Sequence, residues 1–576
     1  MKQLLLGNEA IARGAWEAGC RVASAYPGTP STEITENIAK YQEIYAEWSP
    51  NEKVAMEVAV GASTGGARAI VSMKHVGLNV AADPMFTASY TGVNGGLVIM
   101  VADDPGMHSS QNEQDSRFYA RMSLIPMLEP SDSQECLDYV KLAFELSEEY
   151  DTPVLIRLTT RVAHSRTLVE MHDRMDIPLK EYKKDAQKRV MMPAMAKARH
   201  LFVEERMRRL AEATNSMPIH RVIKGAGRFA IVACGIVSQY VLEAIPDADL
   251  FKIGMVYPLP VEAIRKFAAQ YDKLYVVEDL EPFIEDTLKA AGIACTGVEL
   301  FGVQGEPDAQ MIAEKLNGVV PAAQQAADLP IRPPVMCPGC PHRGVYYTFS
   351  KLGLTVSGDI GCYTLGALAP LNATDICLCM GASIGMAHGF EKAREGRQPK
   401  LVAAIGDSTF IHSGITGLIN AVYNQSNITV AILDNSTTGM TGHQHHPATG
   451  KTLKGSDAAV LDLEGLCRSV GVQDLKVVDP FDLKAVDAAL KDSLARDGVS
   501  VVIFRRPCAL LPNQPKQGLC AVNKEKCRKC KACLKIGCPA IEATADGGVV
   551  INPTLCTGCG LCIQMCAFGV IGKEAQ

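Results

Sequence analysis

The sequence predicts an α/β protein made of several doubly wound units, with a small cysteine-rich module behind them. Three observations carry this. Short apolar runs such as LVIMVA (97–102) and TPVLIRL (152–158) recur between stretches of helical spacing, the pattern of buried parallel strands joined by helices. The 576 residues suffice for about three or four domains. Nine of the 20 cysteines fall between Cys520 and Cys566, leaving eleven for the rest of the chain.

Composition narrows the function classes. Hydrophobic residues at 47% and charged residues at 21% exclude a disordered chain. With 57 Lys and Arg against 63 acids, the net charge of −6 excludes a globally basic nucleic-acid binder. The start, MKQLLLGNE, has three leucines and no cleavage site, and no run approaches the roughly 18 apolar residues of a membrane span. The expectation is a cytoplasmic protein with reduced cysteines, neither membrane nor nucleic acid as partner, and clustered thiols acting as metal ligands.

Residues 1–165 read as the first doubly wound domain, with a helix over Ser133–Glu148. Residues 166–222 carry KKDAQKR (183–189) and EERMRR (204–209), and the mixed signs suggest a charged linker. Strands return at FAIVACG (229–235), LFKIGMV (250–256) and KLYVVEDL (273–280), a smaller α/β unit over 223–328. Pro330, Pro333 and Pro334 stiffen a second linker over 330–334. A third α/β domain spans 335–512, with strands LVAAIG (401–406), ITVAILD (428–434) and VSVVIFR (499–505). The last segment, 516–576, is too short to fold comfortably on an apolar core and needs staples.

Those staples are legible. Cys527, Cys530 and Cys533, then Cys538, are followed 28 to 29 residues on by Cys556, Cys559, Cys562 and Cys566, an internal repeat. Three thiolates at i, i+3 and i+6 wrap a cubane, and the fourth ligand arrives from the other half. One cluster then takes Cys527, Cys530, Cys533 and Cys566; the other takes Cys538, Cys556, Cys559 and Cys562. Two zinc sites are the rival reading. The tail resembles bacterial two-cluster ferredoxins, with one extra residue before Cys538 and Ala567 where a proline usually follows.

In the third domain, Gly406-Asp407-Ser408 follows one strand and Asp434-Asn435 closes the next, close to the spacing of the thiamine diphosphate motif. A carboxylate and an amide oxygen at the carboxyl ends of neighbouring strands can hold Mg²⁺ on a diphosphate. The expected ligands are Asp407, Asn435 and the carbonyl of Thr437, with Ser408 in the cofactor loop. Gly381, Gly385 and Gly406 are expected to let backbone approach the phosphates. An ordinary strand-to-helix turn is the alternative, and Ser408 and Asp434 depart from the usual motif.

Nearly the whole chain, in order, resembles the 2-oxoacid:ferredoxin oxidoreductases. The carriers are AYPGTPS (25–31), KIGMVYPLP (252–260), CPGCPHR (337–343), GDS, DNSTTGMTGHQ (434–444) and the ferredoxin tail. The resemblance implies a pyrimidine-binding thiamine domain, a transketolase-C-like domain, a diphosphate-binding domain and a two-cluster ferredoxin domain. It also implies a third, proximal [4Fe–4S] cluster on Cys337, Cys340, Cys362 and Cys508. Cys377 and Cys379 are rivals, but their apolar segment suits a buried strand better. Glu52 matches the family's catalytic glutamate, with Glu57 second, and Thr29 matches a substrate-facing threonine. Arg117 is a candidate carboxylate clamp, and His443 a candidate active-site histidine beside His445 and His446.

The implied reaction is oxidative decarboxylation of aryl pyruvates, of indolepyruvate or phenylpyruvate type, to acyl-CoA and CO₂, with coenzyme A as co-substrate and ferredoxin as acceptor. The implied assembly is α2β2, with a small gamma-type β subunit. A sibling acting on pyruvate or branched-chain oxo acids, and a non-catalytic electron-transfer subunit, are the alternatives.

Overall fold

The computed structural model describes residues 1–318, 333–394, 401–512 and 518–573, so most of the expected proline linker, 330–332, lies outside the described residues. The chain divides into two compact units, Met1–Ala327 and Asp328–Gln576.

The first unit holds a seven-stranded sheet. From one border to the other it runs Met255–Tyr257, Met127–Leu128, Val154–Thr159, Leu97–Asp103, Ala69–Lys74, Val22–Ala25 and Tyr45–Trp48. All neighbours are parallel except the first pair. Every residue of Leu97–Asp103 is buried, as expected of a central parallel strand covered on both faces. The helix expected at Ser133–Glu148 spans Ser133–Tyr150 and is capped by Asp132, whose side chain accepts from the Glu135 N–H.

A second sheet in the same unit has three parallel strands, Leu274–Val277, Ala230–Cys234 and Asp249–Ile253, with Arg221–Ile223 antiparallel at its border. The two sheets share a core in which Val71, Ile99 and Leu155 belong to one and Val232, Phe251 and Val276 to the other. The run LFKIGMV, expected as one strand, is broken at Gly254. A Cβ there would lie 2.6 Å from the Tyr139 hydroxyl and 2.7 Å from the Ile219 carbonyl. Beyond this glycine, Met255–Tyr257 leaves its own sheet and completes the larger one.

Residues 166–222 do not behave as a spacer. Arg166–Glu170 pairs antiparallel with Lys2–Leu6, and the helix Pro193–Ala213 packs against the helix His75–Thr91. Arg206 in this segment is buried, its guanidinium donating to the carbonyls of Ser89, Leu124 and Asp151 at 2.9, 3.0 and 3.2 Å. A cation on carbonyls at the end of a helix is held by the helix dipole as well as by hydrogen bonds. Mixed charge in the sequence concealed that anchor.

The second unit is built on a six-stranded sheet, all parallel, in the order Ile376–Cys377, Thr355–Gly358, Leu401–Gly406, Thr429–Asp434, Ser500–Arg505 and Asp474–Val478. Separate apolar clusters cover its two faces, one containing Phe349, Leu433 and Leu490, the other Phe410, Ile432 and Ile503. The tail forms two antiparallel ribbons, Cys520–Val522 with Ile571–Lys573 and Ile541–Ala543 with Val549–Ile551. Its core mixes Ile536, Ile551, Leu561 and Met565 with cysteines. Among the described residues, no helix is long and apolar enough to cross a membrane.

Candidate functional site

The adjacent parallel strands Leu401–Gly406 and Thr429–Asp434 end side by side and deliver Asp407 and Asn435 to one place. Asp407 is buried. Its carboxylate accepts the N–H of Ser408 at 2.8 Å and of Ser436 at 2.9 Å, and lies 3.2 Å from Nε2 of His446. The side-chain oxygen of Asn435 faces only other oxygens, Oδ1 of Asp407 at 3.3 Å and the Thr437 carbonyl at 2.8 Å. Turning the amide would make hydrogen bonds of these contacts; a divalent cation among the three oxygens satisfies all of them without turning it. In an octahedral Mg²⁺ shell, adjacent ligand oxygens stand about 3 Å apart, so the donor set fits that ion in chemistry and spacing. Asp434 accepts from Nε of Arg505 at 2.7 Å and shares the Ser436 N–H with Asp407, at 3.1 Å.

Of the three histidines that follow the loop, His446 is the one in contact with Asp407. His443 is half-buried in the left-handed region at φ 69°, and its Nδ1 has no hydrogen-bond partner. The glycines also divide. Gly381 takes φ 81° at the head of the helix Ala382–Ala393, but its N–H and that of Ser383 donate to the buried Asp359 carboxylate at 2.8 and 2.9 Å. The protein's own anion thus fills the place expected for a phosphate. Gly406 makes room for the Tyr363 ring, which a Cβ would approach to 2.7 Å, whereas Gly385 faces open space. Ser408 Oγ accepts from the Thr438 hydroxyl at 2.9 Å.

Beside this loop the structure gathers Cys337, Cys340, Cys362 and Cys508. Burial above all, with added repulsion from the Cys362 and Cys337 thiols, pushes Cys340 up to about 12; burial, then Cys508 and Cys337, pushes Cys362 up to about 11. The Cys508 N–H donates to the Asn435 carbonyl at 2.9 Å. A Cβ on Gly439 would lie 3.4 Å from Cys362 Sγ and from Asn435 Nδ2, so thiol and amide flank the same residue. Cys377 and Cys379 are both exposed: Cys377 ends the border strand Ile376–Cys377 and Cys379 follows it, so the strand expected here lies at the sheet border and is not buried.

In the tail, the neighbours of Cys533 are Cys530, Cys566 and Cys527, and those of Cys559 include Cys538 and Cys556. Cys520, outside the repeat, is a further neighbour of Cys559, so the second group holds one thiol more than the repeat supplies. Among the described residues, no three His, Cys, Asp or Glu side chains converge as they would on a single metal ion. Cysteines serving a cubane stand at its separate corners, and two of the three oxygens at the Asn435 site are amide and carbonyl.

One buried cation joins the two cysteine regions of this unit. Arg343, from CPGCPHR, donates through Nη1 to the carbonyls of Ile536 and Gly537 and through Nη2 to those of Met336 and Cys337, the last at 3.0 Å. Gly339 packs on the tail as well, since a Cβ there would meet Thr557 Oγ1 at 2.1 Å.

In the first unit, Glu52 opens the helix Glu52–Thr64, whose cap is Asn51 accepting from the Val54 N–H. Glu52 is buried against Gly77, where a Cβ would lie 2.6 Å from its Oε1. Glu57 is exposed and paired with Lys53. Thr29 is half-buried in the loop after Val22–Ala25, and its neighbour Gly28 abuts Lys74, with a virtual Cβ 3.1 Å from the lysine Cβ. Lys74 ends the apolar strand AIVSMK, is buried, and donates to the Ser109 carbonyl at 2.7 Å. Burial pulls its pKa down to about 8, against the pull of Asp104.

Arg117 cannot clamp a substrate. It is fully buried, with Asp115 against Nε and Nη2, Glu278 at 2.7 Å from Nη1, and the carbonyls of Asp279 and Glu281 at 2.7 and 2.9 Å from Nη2. Its donors hold the two sheets of the unit together. Lys74 and Arg343 escaped the sequence reading, and His446 was named there only beside His443. The signal for Lys74 was a lone cation ending an otherwise apolar strand; His446 stood in a run of three histidines, and Arg343 next to a CxxC.

Comparison with known proteins bears on the whole chain. The profile of pyruvate flavodoxin/ferredoxin oxidoreductases, thiamine diphosphate-binding, matches residues 13–217. That of the thiamine pyrophosphate enzyme C-terminal TPP-binding domain matches 359–504, and the 4Fe-4S binding domain matches 549–571. The indolepyruvate oxidoreductase subunit IorA of Archaeoglobus fulgidus is 42% identical over 98% of this chain and 96% of its own. The same subunit of Methanothermobacter thermautotrophicus is 41% identical over 100% and 98%. The 2-oxoglutarate synthase subunit KorA of Methanothermobacter marburgensis is 32% identical over 30% of this chain and 48% of its own.

Proposed function

The chain belongs to the thiamine diphosphate-dependent 2-oxoacid:ferredoxin oxidoreductases, and on that premise we propose that it oxidatively decarboxylates aryl pyruvates, of the indolepyruvate and phenylpyruvate type, to acyl-CoA and CO₂. The aryl preference is supported by relatives named for indolepyruvate over their full length. The observation that carries the redox half is the hydrogen bond from Cys508 to Asn435, which ties a thiol quartet to the loop proposed to hold the cofactor's metal.

The proposed domain roles are pyrimidine binding for 1–165, a transketolase-C-like support for 223–328, diphosphate binding for 335–512 and electron transfer for 516–576. Bound thiamine diphosphate would supply a nucleophilic carbon and an electron sink. Glu52, desolvated in its helix start, holds the proton at N1′ of the aminopyrimidine. Asp407, Asn435 and the Thr437 carbonyl hold Mg²⁺, and His446 orients Asp407. Thr29 offers a hydroxyl to the 2-oxo acid, and Lys74 takes the carboxylate role for which Arg117 is not free. Cys337, Cys340, Cys362 and Cys508 hold a proximal [4Fe–4S] cluster and the tail holds two more, three in all. Coenzyme A collects the acyl group. A small gamma-type β subunit completes an α2β2 assembly, an external ferredoxin takes the electrons, and the thiols stay reduced in the cytoplasm.

The test is anaerobic purification followed by iron, sulfide and EPR analysis with substrate profiling. About twelve irons per chain falling to about eight in Cys337→Ala supports the proximal cluster. Turnover of pyruvate without indolepyruvate would move the enzyme to a sibling activity. Absence of bound thiamine diphosphate and Mg²⁺ would leave an electron-transfer subunit.

A further inference from the structure

The tail quartets account for eight cysteines and leave Cys520, which lies outside the repeat. It begins the ribbon Cys520–Val522 and is buried. It is not remote from the ligands. Cys520 lines the same cavity as Cys538, Cys556, Cys559 and Cys562, together with Ile536, Ile541 and Leu561. Its backbone N–H donates to Cys556 Sγ at 3.4 Å, and its thiol interacts with those of Cys562 and Cys556. Five cysteines therefore line a space in which a cubane would need four.

The internal repeat supplies a comparison within the chain. Ligand positions recur 29 residues on, as Cys533 does in Cys562, and the counterpart of Cys520 is Val549. Val549 is buried in the same small core but carries no ligand atom. The surplus thiol thus belongs to one half of the repeat. A packing role alone would be met by the valine used in the other half.

We propose that Cys520 is a reserve ligand of the second cluster site, able to take the iron left open when Cys562 or Cys556 is lost. The exchange involves no oxidation or reduction. The Cys520 thiol gives its proton to water, one Fe–S bond forms to its thiolate, and the bond to the missing side chain is the one it replaces. The iron keeps its charge and the cluster its four cysteine ligands. The surrounding ribbon already holds Cys520 against both neighbours, so a side-chain rotation and a small shift complete the bond.

The inference rests on the assignment of Cys538, Cys556, Cys559 and Cys562 to one cluster, and the experiment separates the two. Four variants of the full chain are purified anaerobically: Cys520→Ala, Cys562→Ala, the double Cys520→Ala/Cys562→Ala, and Cys533→Ala. Iron and sulfide are counted, and EPR spectra are taken oxidised and reduced. Cys520→Ala and Cys562→Ala should each keep about twelve irons, while the double variant and Cys533→Ala fall to about eight or show the oxidised signal of a three-iron cluster. Loss of iron in Cys562→Ala equal to that in the double variant would overturn the reserve role and leave the cluster assignment standing. Twelve irons in the double variant would overturn the assignment, and this inference with it. Signals of the remaining clusters report that each variant has folded, and Cys556→Ala repeats the test from the second neighbour.

Discussion

The N–H of Cys508 donates to the carbonyl of Asn435 at 2.9 Å, so a proposed cluster ligand and a proposed metal ligand share one peptide contact. Neither residue can shift without moving the other. Asn435→Ala should therefore lower Mg²⁺ retention about 10-fold or more and also alter the EPR line shape of the proximal cluster, leaving the tail signals unchanged. Metal analysis and EPR on the same sample check both halves; a change confined to Mg²⁺ would show that the peptide contact transmits nothing.

Glu52→Gln keeps the size of the side chain and removes its acidity. The expected loss in kcat is about 100-fold or more, the range of a positioned proton-transfer group. Thiamine diphosphate affinity should change only a few-fold. Deuterium exchange at C2 of the bound thiazolium, followed by NMR after quenching, is expected to slow in parallel with turnover.

Lys74 gives a pH signature. Burial lowers its pKa from 10.5 to about 8, so the ammonium form is lost as pH rises through about 8. KM for the 2-oxo acid should climb above that pH while kcat is little affected. Lys74→Arg, which stays protonated, should flatten the climb, and Lys74→Met should raise KM about 10- to 100-fold at every pH, as expected for a lost charged hydrogen bond. Stability has the opposite sign. Between about pH 8 and 10.5 the folded lysine has released a proton that the unfolded chain still binds, so this group adds stability as pH rises.

Arg117→Ala tests a structural role. Removing the guanidinium leaves Asp115 and Glu278 buried without their cation, at a cost of about 3–5 kcal/mol. Burial already pushes Glu278 up to about 7, and loss of the opposing arginine pushes it further toward the neutral acid. The melting temperature should drop by several degrees with KM unchanged in the folded fraction. A KM effect without destabilisation would restore a substrate contact.

Arg343→Met should loosen the tail. Four carbonyls lose their donor, those of Ile536 and Gly537 on one side and Met336 and Cys337 on the other. Faster proteolysis after the diphosphate-binding domain, and weaker magnetic coupling between the proximal and tail clusters at unchanged iron content, are the expected readouts.

What the sequence made visible follows from range. The proposed tail quartets rest on local spacing and a short repeat, so they could be read without a fold. Asp407 and Asn435 needed only two adjacent strands ending together. Arg117 misled because, apart from Asp115 two residues before it, its partners Glu278, Asp279 and Glu281 lie more than 160 residues away, and the one local acid does not announce a buried ion cluster. His443 and His446 differ in a loop geometry that a run of histidines does not encode. Gly381 was read as a backbone donor to phosphate, and the carboxylate its N–H meets, Asp359, comes from a different strand end that local sequence does not bring near it.

The strand Met255–Tyr257 completes a sheet that otherwise belongs to residues before 160. A fragment stopped at residue 222 would therefore end with Met127–Leu128 as a raw border, its backbone donors and acceptors open to pairing with a second molecule. Expression of the amino-terminal half by that cut should give aggregates, whereas extension through Tyr257 closes the border. During synthesis the same border stays open until some 130 further residues have emerged, a window in which a chaperone would find an exposed edge to hold.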